Sequence, residues 1–435
     1  MHGLLRPVIA AGIAGLLGAG CAAPARPRHL VLAVIDALRA DHLHCYGYRR
    51  KTSPAIDRLA AEGVRFERAY AQASWTRAAS ASLLTGRYPS SHGCLGRAGV
   101  LGDRELTLAE LFAPAGFETA GFVANPNFRR RFGLGQGFST WIELFEGKAM
   151  PQLTPATEVN WALREFLDRR AAAGPLLVFV FYLEPHAPYA PPAGLAERFL
   201  PRRRQPGERE RARARYDGEI VAVDRAFAQL RADLERRGLW ADSVVVLTAD
   251  HGEELGERGA YGHGHSVFEE QLRIPLLIAG PSLPRGIAIG APVQQVDLLP
   301  TLAELFGLEP PPDLAGRSLL PLLAAGAPAG MASREWERPI FVEQTLGAVR
   351  FEALIAGPWK WIHNFRRDTD SLFNLDQDPG ERSNRIARDP GPARALGRRA
   401  EALRRRAEAS AREAPREATL DPEERRQLEA LGYLQ

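Results

Sequence analysis

Three apolar runs in this chain each end on groups able to hold a cation or carry a proton. His29–Ile35 (HLVLAVI) leads into Asp36, residues 176–183 (LLVFVFYL) into Glu184 and His186, and residues 244–248 (VVVLT) into Asp250 and His251. A carboxylate and an imidazole side by side after a buried strand are costly to desolvate unless a cation neutralises them. Asp250-His251 therefore reads as part of a metal site, with a hydrogen-bonded turn as the plain alternative. Asp36 reads the same way, although an Asp after a strand also serves as a helix cap, and Asp41 reads as structural. Mixed oxygen and imidazole donors suit a single Ca²⁺, Mn²⁺ or Zn²⁺ better than a thiolate-type centre does.

Residues 74–89 (SWTRAASASLLTGRYP) are the most informative stretch. Their second half, LLTGRYP, resembles the segment that follows the nucleophile in sulfatases and the wider alkaline phosphatase superfamily. Counting back from it puts the nucleophile at Thr76. A sulfatase carries Cys or Ser there, then Pro and Arg two and four residues on, whereas this chain has Thr76, Ala78 and Ser80. Arg77 is a poor replacement for that arginine, because each helical residue turns ~100° and the next residue leaves the nucleophile's face. Trp75 reads as packing. The resemblance spans about residues 28–385, with its motifs in the expected order.

The resemblance implies roles for the other groups. Asp36, Asp250 and His251 are the expected metal ligands together with Thr76; the second aspartate found in many sulfatases is Ala37 here. Thr76 is the expected nucleophile, since a bound dication lowers its hydroxyl pKa and a helix beginning there favours an anionic ester. His186, in YLEPHAPY, is expected to contact substrate or protonate the leaving group. His263, in YGHGH, stands where many sulfatases have the Lys that binds the transferred group. His265 is an alternative reactive histidine, or a partner of His263 in a second metal site. A Gly-Lys-Trp-His segment is replaced by residues 120–127 (AGFVANPN), leaving Asn125 as the substrate-side hydrogen-bond donor.

These residues need a scaffold that brings strand ends together. Continuous apolar runs read as strands buried on both faces, and runs at residues 275–279 and 340–343 join those above. Helical spacing occupies residues 158–173 and 216–238 between them. The fold expected is α/β: a large alkaline-phosphatase-like sheet with helices on both faces, plus a small C-terminal α+β subdomain. Ligands in such sheets gather beyond the strands' carboxyl ends. The organisation expected is a leader over residues 1–27, a catalytic domain over 28–325, an antiparallel subdomain over 338–385 and a charged helical tail over 389–435. Residues 324–339 form a low-complexity joint, and Asp421 followed by Pro422 is a helix start.

The 435 residues carry a formal charge of +4, almost all the cations being arginine. The runs Arg129–Arg131 and Arg202–Arg204 have no interleaved aromatics and read as solvated loops, so no nucleic-acid partner is expected. Residues 7–20 are uncharged and apolar and too short to span a bilayer. With residues 17–21 (LGAGC), they resemble a bacterial lipoprotein leader in which Cys21 is lipidated, an ordinary signal or an uncleaved anchor being the alternatives. The chain is thus expected to be exported, in the periplasm or cell envelope, and lipid-anchored to the membrane. Cys45 and Cys94 remain for one disulfide, which spacing alone does not place.

Two functions compete. One is a metal-dependent hydrolase acting through Thr76 on an anionic phosphate or sulfate ester. Sulfatases proper oxidise Cys or Ser to an aldehyde; oxidation of Thr gives a ketone, which tilts the reading toward phosphoryl transfer. The other is a catalytically inactive sulfatase-fold protein that binds an anionic glycan or lipid head group. The retained Asp36, Thr76, Asp250, His251, His186 and His263 favour the enzyme.

Overall fold

The computed structural model describes residues 27–147, 154–170, 174–201, 205–324, 336 and 338–433. Cys21, the arginine run at 202–204 and most of the 324–339 joint lie outside them. Among the described residues no helix is long and apolar enough to cross a membrane.

The large sheet has eight strands: β1 (His29–Ile35), β2 (Val64–Tyr70), β3 (Glu118–Val123), β4 (Thr140–Glu143), β5 (Leu176–Tyr182), β6 (Ser243–Ala249), β7 (Arg273–Ala279) and β8 (Ile287–Gln294). Their spatial order is β8-β2-β7-β6-β1-β5-β3-β4. Strand β1 is parallel to β5 and β6, with Ile35 level with both Tyr182 and Ala249. Strand β3 is parallel to β5, with Val123 level with Phe181. Four adjacent strands therefore stop together, and the residues after them share one edge. Strands β1, β5 and β6 are buried along their whole length, as continuous Val/Leu/Ile/Phe runs require.

Helices flank the sheet, including Pro54–Glu62, Ala156–Arg169 and the long Glu208–Arg236. The last begins eight residues before its apolar spacing does, over an Arg/Glu-rich turn. Glu184 is turned to structural use: its carboxylate accepts from Ala156 N at 2.9 and 3.1 Å, capping that helix rather than facing the other strand-end groups. Cys45 and Cys94 are both free thiols. Asp41 pairs with Arg39 at 2.8 Å.

A second, antiparallel sheet holds β9 (Ile340–Leu346), β10 (Val349–Ala356), β11 (Trp359–Asn364) and β12 (Thr369–Asn374) in that order. Its first strand buttresses the nucleophile loop: Glu343 N donates to Gln72 O and Ser74 N donates to Gln344 Oε1, both at 2.9 Å. Gln344 Nε2 reaches on to Gly264 O at 3.0 Å. One side chain thus ties residue 74 to the loop bearing His263. Two further helices follow, Pro390–Ala409 and Pro422–Ala430. Asp421 caps the second, accepting from Glu423 N and Glu424 N at 2.9 Å.

Candidate active site

Thr76 opens the helix Thr76–Thr85, all ten residues of which are buried. Its Ala/Ser-rich sequence suits that position, since small side chains let a helix be enclosed on every face. The helix stops at Gly86, whose φ of +68° is costly for any other residue. The next residue of the motif, Arg87, is structural: it pairs with Glu105 at 3.0 Å and Asp313 at 2.5 Å. No side chain caps the start of the helix at Trp75. The positive end of its dipole thus faces the site, which favours an anion there.

The shared sheet edge supplies the remaining groups. His251 Nε2 lies 3.2 Å from Thr76 Oγ1, 3.3 Å from Asp250 Oδ2 and 3.7 Å from Asp36 Oδ1. One ligand atom from each of Asp36, Asp250 and His251 fits within a 4.8 Å span. All three are wholly buried, and Asp36 Oδ1 and Asp250 Oδ2 have no hydrogen-bond partner. The tautomer of His251 follows from geometry. Its Nδ1 sits 2.8 Å from Gly252 O, which only accepts, so Nδ1 carries a proton and, in the neutral ring, Nε2 is left as the ligand atom facing two carboxylates. Two orphaned carboxylate oxygens and an imidazole nitrogen converging in a wholly buried site are a donor set for a dication.

Electrostatics agree. Burial, reinforced by the Asp250 charge, pushes the Asp36 carboxyl well above the usual range. Burial also raises Asp250, opposed by His251. Asn125, immediately beyond β3, donates from Nδ2 to Asp36 Oδ2 at 2.6 Å and so holds the remaining oxygen. Ala37 takes the place of a further carboxylate with a left-handed φ of 56°, and its N–H donates to Asp250 Oδ1 at 3.1 Å. Such backbone strain persists only where surroundings over-determine it.

Three imidazoles line one side. The rings of His251 and His263 are 4.2 Å apart and those of His263 and His186 4.8 Å apart. Glu253 accepts from His263 Nδ1 at 3.0 Å, which leaves that ring's Nε2 unprotonated when neutral. His186 Nδ1 bonds Ala187 O and its Nε2 has no partner. Burial, then the neighbouring His263, lowers His186 to about 3; burial, then His251, lowers His263 well below its ordinary value. Both rings therefore favour the neutral form. The expectation that His186 protonates a leaving group requires an anion to arrive first and raise it.

His265 is drawn elsewhere. Its Nε2 is 2.9 Å from both Glu254 Oε2 and Gln271 Nε2, and Asp36, Asp250 and His251 form the one potential metal cluster among the described residues. Arg77 also turns away, donating to Arg97 O, Gly99 O and Asn127 Oδ1 at 2.9–3.1 Å. Ser80 Oγ is buried without a partner. Two residues escaped sequence reasoning. Glu253 is fully buried beside the imidazoles, and its one signal was an acid closely following Asp-His-Gly. Tyr433 brings its Oη to 2.8 Å from Thr76 Oγ1 and 2.9 Å from Asn125 Nδ2.

The sulfatase family model matches residues 28–308. The chain is a member of the sulfatase family. A second model, the N-sulphoglucosamine sulphohydrolase C-terminal region, matches residues 256–403 and so takes in the small sheet. The chain is 26% identical to steryl-sulfatase of Mus musculus over 533 aligned positions, covering 87% of this chain and 82% of that protein. Among solved structures, a protein in complex with its substrate D-glucosamine-2-N,6-O-disulfate superposes with a TM-score of 0.75 at 21% identity, over 88% of this chain and 98% of the other. The phosphonate monoester hydrolase of Agrobacterium radiobacter gives 0.72 at 22%, over 91% of this chain and 100% of the other. The protein is thus a sulfatase-family hydrolase with the alkaline-phosphatase-like architecture, and this superfamily's enzymes typically use a divalent metal.

Proposed function

We propose that this sulfatase-family protein is an exported, metal-dependent hydrolase that cleaves a phosphate ester through Thr76 in preference to a sulfate ester. The observation that carries the reading is the position of Thr76 Oγ1, at an uncapped helix start and 3.2 Å from His251 Nε2 in the unsatisfied Asp36–Asp250–His251 cluster. That cluster would hold one dication, with Ca²⁺, Mn²⁺ and Zn²⁺ all compatible with its oxygen and imidazole donors. The ion would supply positive charge that lowers the pKa of the Thr76 hydroxyl. Asn125 and the positive helix end orient the anionic group, and His186 and His263 stand beside it as neutral imidazoles whose proton affinity rises when the ester's charge enters. Burial of the whole cluster strengthens each of these interactions.

Sulfatase relatives and a phosphonate ester hydrolase both share this fold, so the choice of ester rests on the residue at the nucleophile position. Threonine has no route to the aldehyde on which sulfatase chemistry depends, while its hydroxyl attacks phosphorus unmodified. Purified protein supplied with each cation should hydrolyse p-nitrophenyl phosphate or bis-p-nitrophenyl phosphate with kcat/KM at least about tenfold above that for p-nitrophenyl sulfate, a difference of ~1.4 kcal/mol in barrier. A dominant sulfatase activity would overturn the preference. No turnover of any ester, with retained binding of a sulfated glycan, would favour the inactive binder.

Export through a lipoprotein leader belongs to the same reading. Cys21→Ser should abolish acylation, seen as loss of the lipid mass, and release a soluble form. A native protein carrying no acyl chain would replace the lipid anchor with a plain signal peptide.

A further inference from the structure

Tyr433 reaches the nucleophile from the far end of the chain. Beyond the helix Pro390–Ala409 the backbone runs along the surface, and Arg416–Glu417 pairs antiparallel with Gly99–Val100. The helix Pro422–Ala430 then docks through one stripe at i, i+3, i+4 and i+7 spacing: Glu424, Gln427, Leu428 and Leu431 are all buried. Glu424 meets Arg131 at 3.1 Å and Arg129 at 3.7 Å, and Arg129 also donates to Gln427 Oε1 at 2.7 Å. The arginine run that reads in sequence as a solvated loop is in fact the clasp for this helix. Gly432, at φ +80°, turns the chain inward and delivers the Tyr433 ring to 5.1 Å from His186, 5.5 Å from His263 and 6.0 Å from Trp75.

The Tyr433 oxygen is 2.8 Å from Thr76 Oγ1. A nucleophile needs its target atom about 3–3.5 Å away, and the phenol oxygen already occupies that shell around Thr76 Oγ1. Asp36, Thr76, Asn125, Asp250 and His251 are 0% exposed and His186 is 1% exposed. With Tyr433 in place, none of these groups is open to solvent.

We propose that residues 416–433 form an intramolecular strap that shuts the active site, with the Tyr433 phenol in the place of the ester, and that substrate enters only when the strap lifts. The proposal rests on Thr76 marking the reacting centre. A nine-residue helix has little stability alone, so the strap is held by its docking contacts. These are the short strand pairing, a buried stripe half of which is polar, and an ion-pair clasp whose Arg131 side chain is 40% exposed, open to competition from anions and salt. A closed fraction of this kind weakens the apparent affinity of every active-site ligand by the same factor and leaves kcat untouched.

The test uses full-length variants. Glu424→Lys sets a cation against Arg129 and Arg131 without touching the site; Tyr433→Ala removes the plug; Tyr433→Phe removes only its hydroxyl. The readouts are kcat and KM for p-nitrophenyl phosphate and the calorimetric Kd of inorganic tungstate, which needs no turnover. The expected result is a fall of about tenfold or more in both KM and Kd for Glu424→Lys and Tyr433→Ala, a smaller fall for Tyr433→Phe, and unchanged kcat in Glu424→Lys. Tighter tungstate binding in a protein that turns over no ester would keep the strap and remove the nucleophile reading. Unchanged KM and Kd in all three variants would overturn the strap. So would a loss of kcat at constant KM in both Tyr433 variants, which would instead make the phenol a catalytic residue.

Discussion

Thr76→Ala should lose turnover by at least about 10³-fold, the scale on which removing a nucleophile acts, while the protein stays folded. Alanine is a good helix residue, and the lost hydroxyl leaves the buried helix Thr76–Thr85 otherwise intact. Thr76→Ser should keep activity within about one to two orders of magnitude of the wild type, because the oxygen remains and only a methyl that restrains its rotamer is gone. Thr76→Cys should not yield an efficient sulfatase, since Ala78 and Ser80 stand where a sulfatase has Pro and Arg. Steady-state kinetics on p-nitrophenyl phosphate, with a thermal melt to check folding, decide the matter. Full activity in Thr76→Ala would remove Thr76 from the chemistry.

How much of this was legible in the sequence depends on the distance over which each feature is encoded. Strands β1, β5 and β6 are buried on both faces and so read as unbroken apolar runs; the polar groups just beyond them gather along one sheet edge. Strand β2 (VRFERAY) was missed because it interleaves charges with its buried residues, and β3 (ETAGFV) because Thr, Gly and Glu dilute its apolar signal. The helix start at Thr76 needed only local sequence. Glu184 shows the limit of strand-end reasoning, since an acid after a strand serves a helix start as readily as a cation. The Tyr433 contact was invisible because its partner Thr76 lies 357 positions away and nothing local announces that a tyrosine ends a docking stripe. The role of Arg129 and Arg131 was hidden for the same reason, their partner Glu424 being brought to them only by the fold.

Removal of the dication should reverse the sign of a single substitution. Without a cation, Asp36 and Asp250 face each other in a dry site, and both carboxyls are raised, Asp36 strongly, by burial and, for Asp36, the Asp250 charge as well. A raised carboxyl binds its proton more tightly folded than unfolded. Metal-free stability is therefore fullest below the unfolded carboxylate range and declines as pH climbs through the raised folded values. Asp36→Asn removes that titration and the repulsion with it. In chelator at pH 8 the variant should melt above wild type, because the repulsion is gone while an amide oxygen at position 36 still accepts from Asn125. With cation present the order should invert. Wild type gains RT ln(1 + [M]/Kd), about 4 kcal/mol at a thousandfold excess over Kd, several degrees of melting temperature, while the variant has lost a ligand and gains much less. Asp250→Ala should abolish tight binding altogether, read as metal per protein by elemental analysis. Full metal stoichiometry in Asp250→Ala, or the same cation-induced shift in wild type and Asp36→Asn, would mean that this cluster is not where the ion sits.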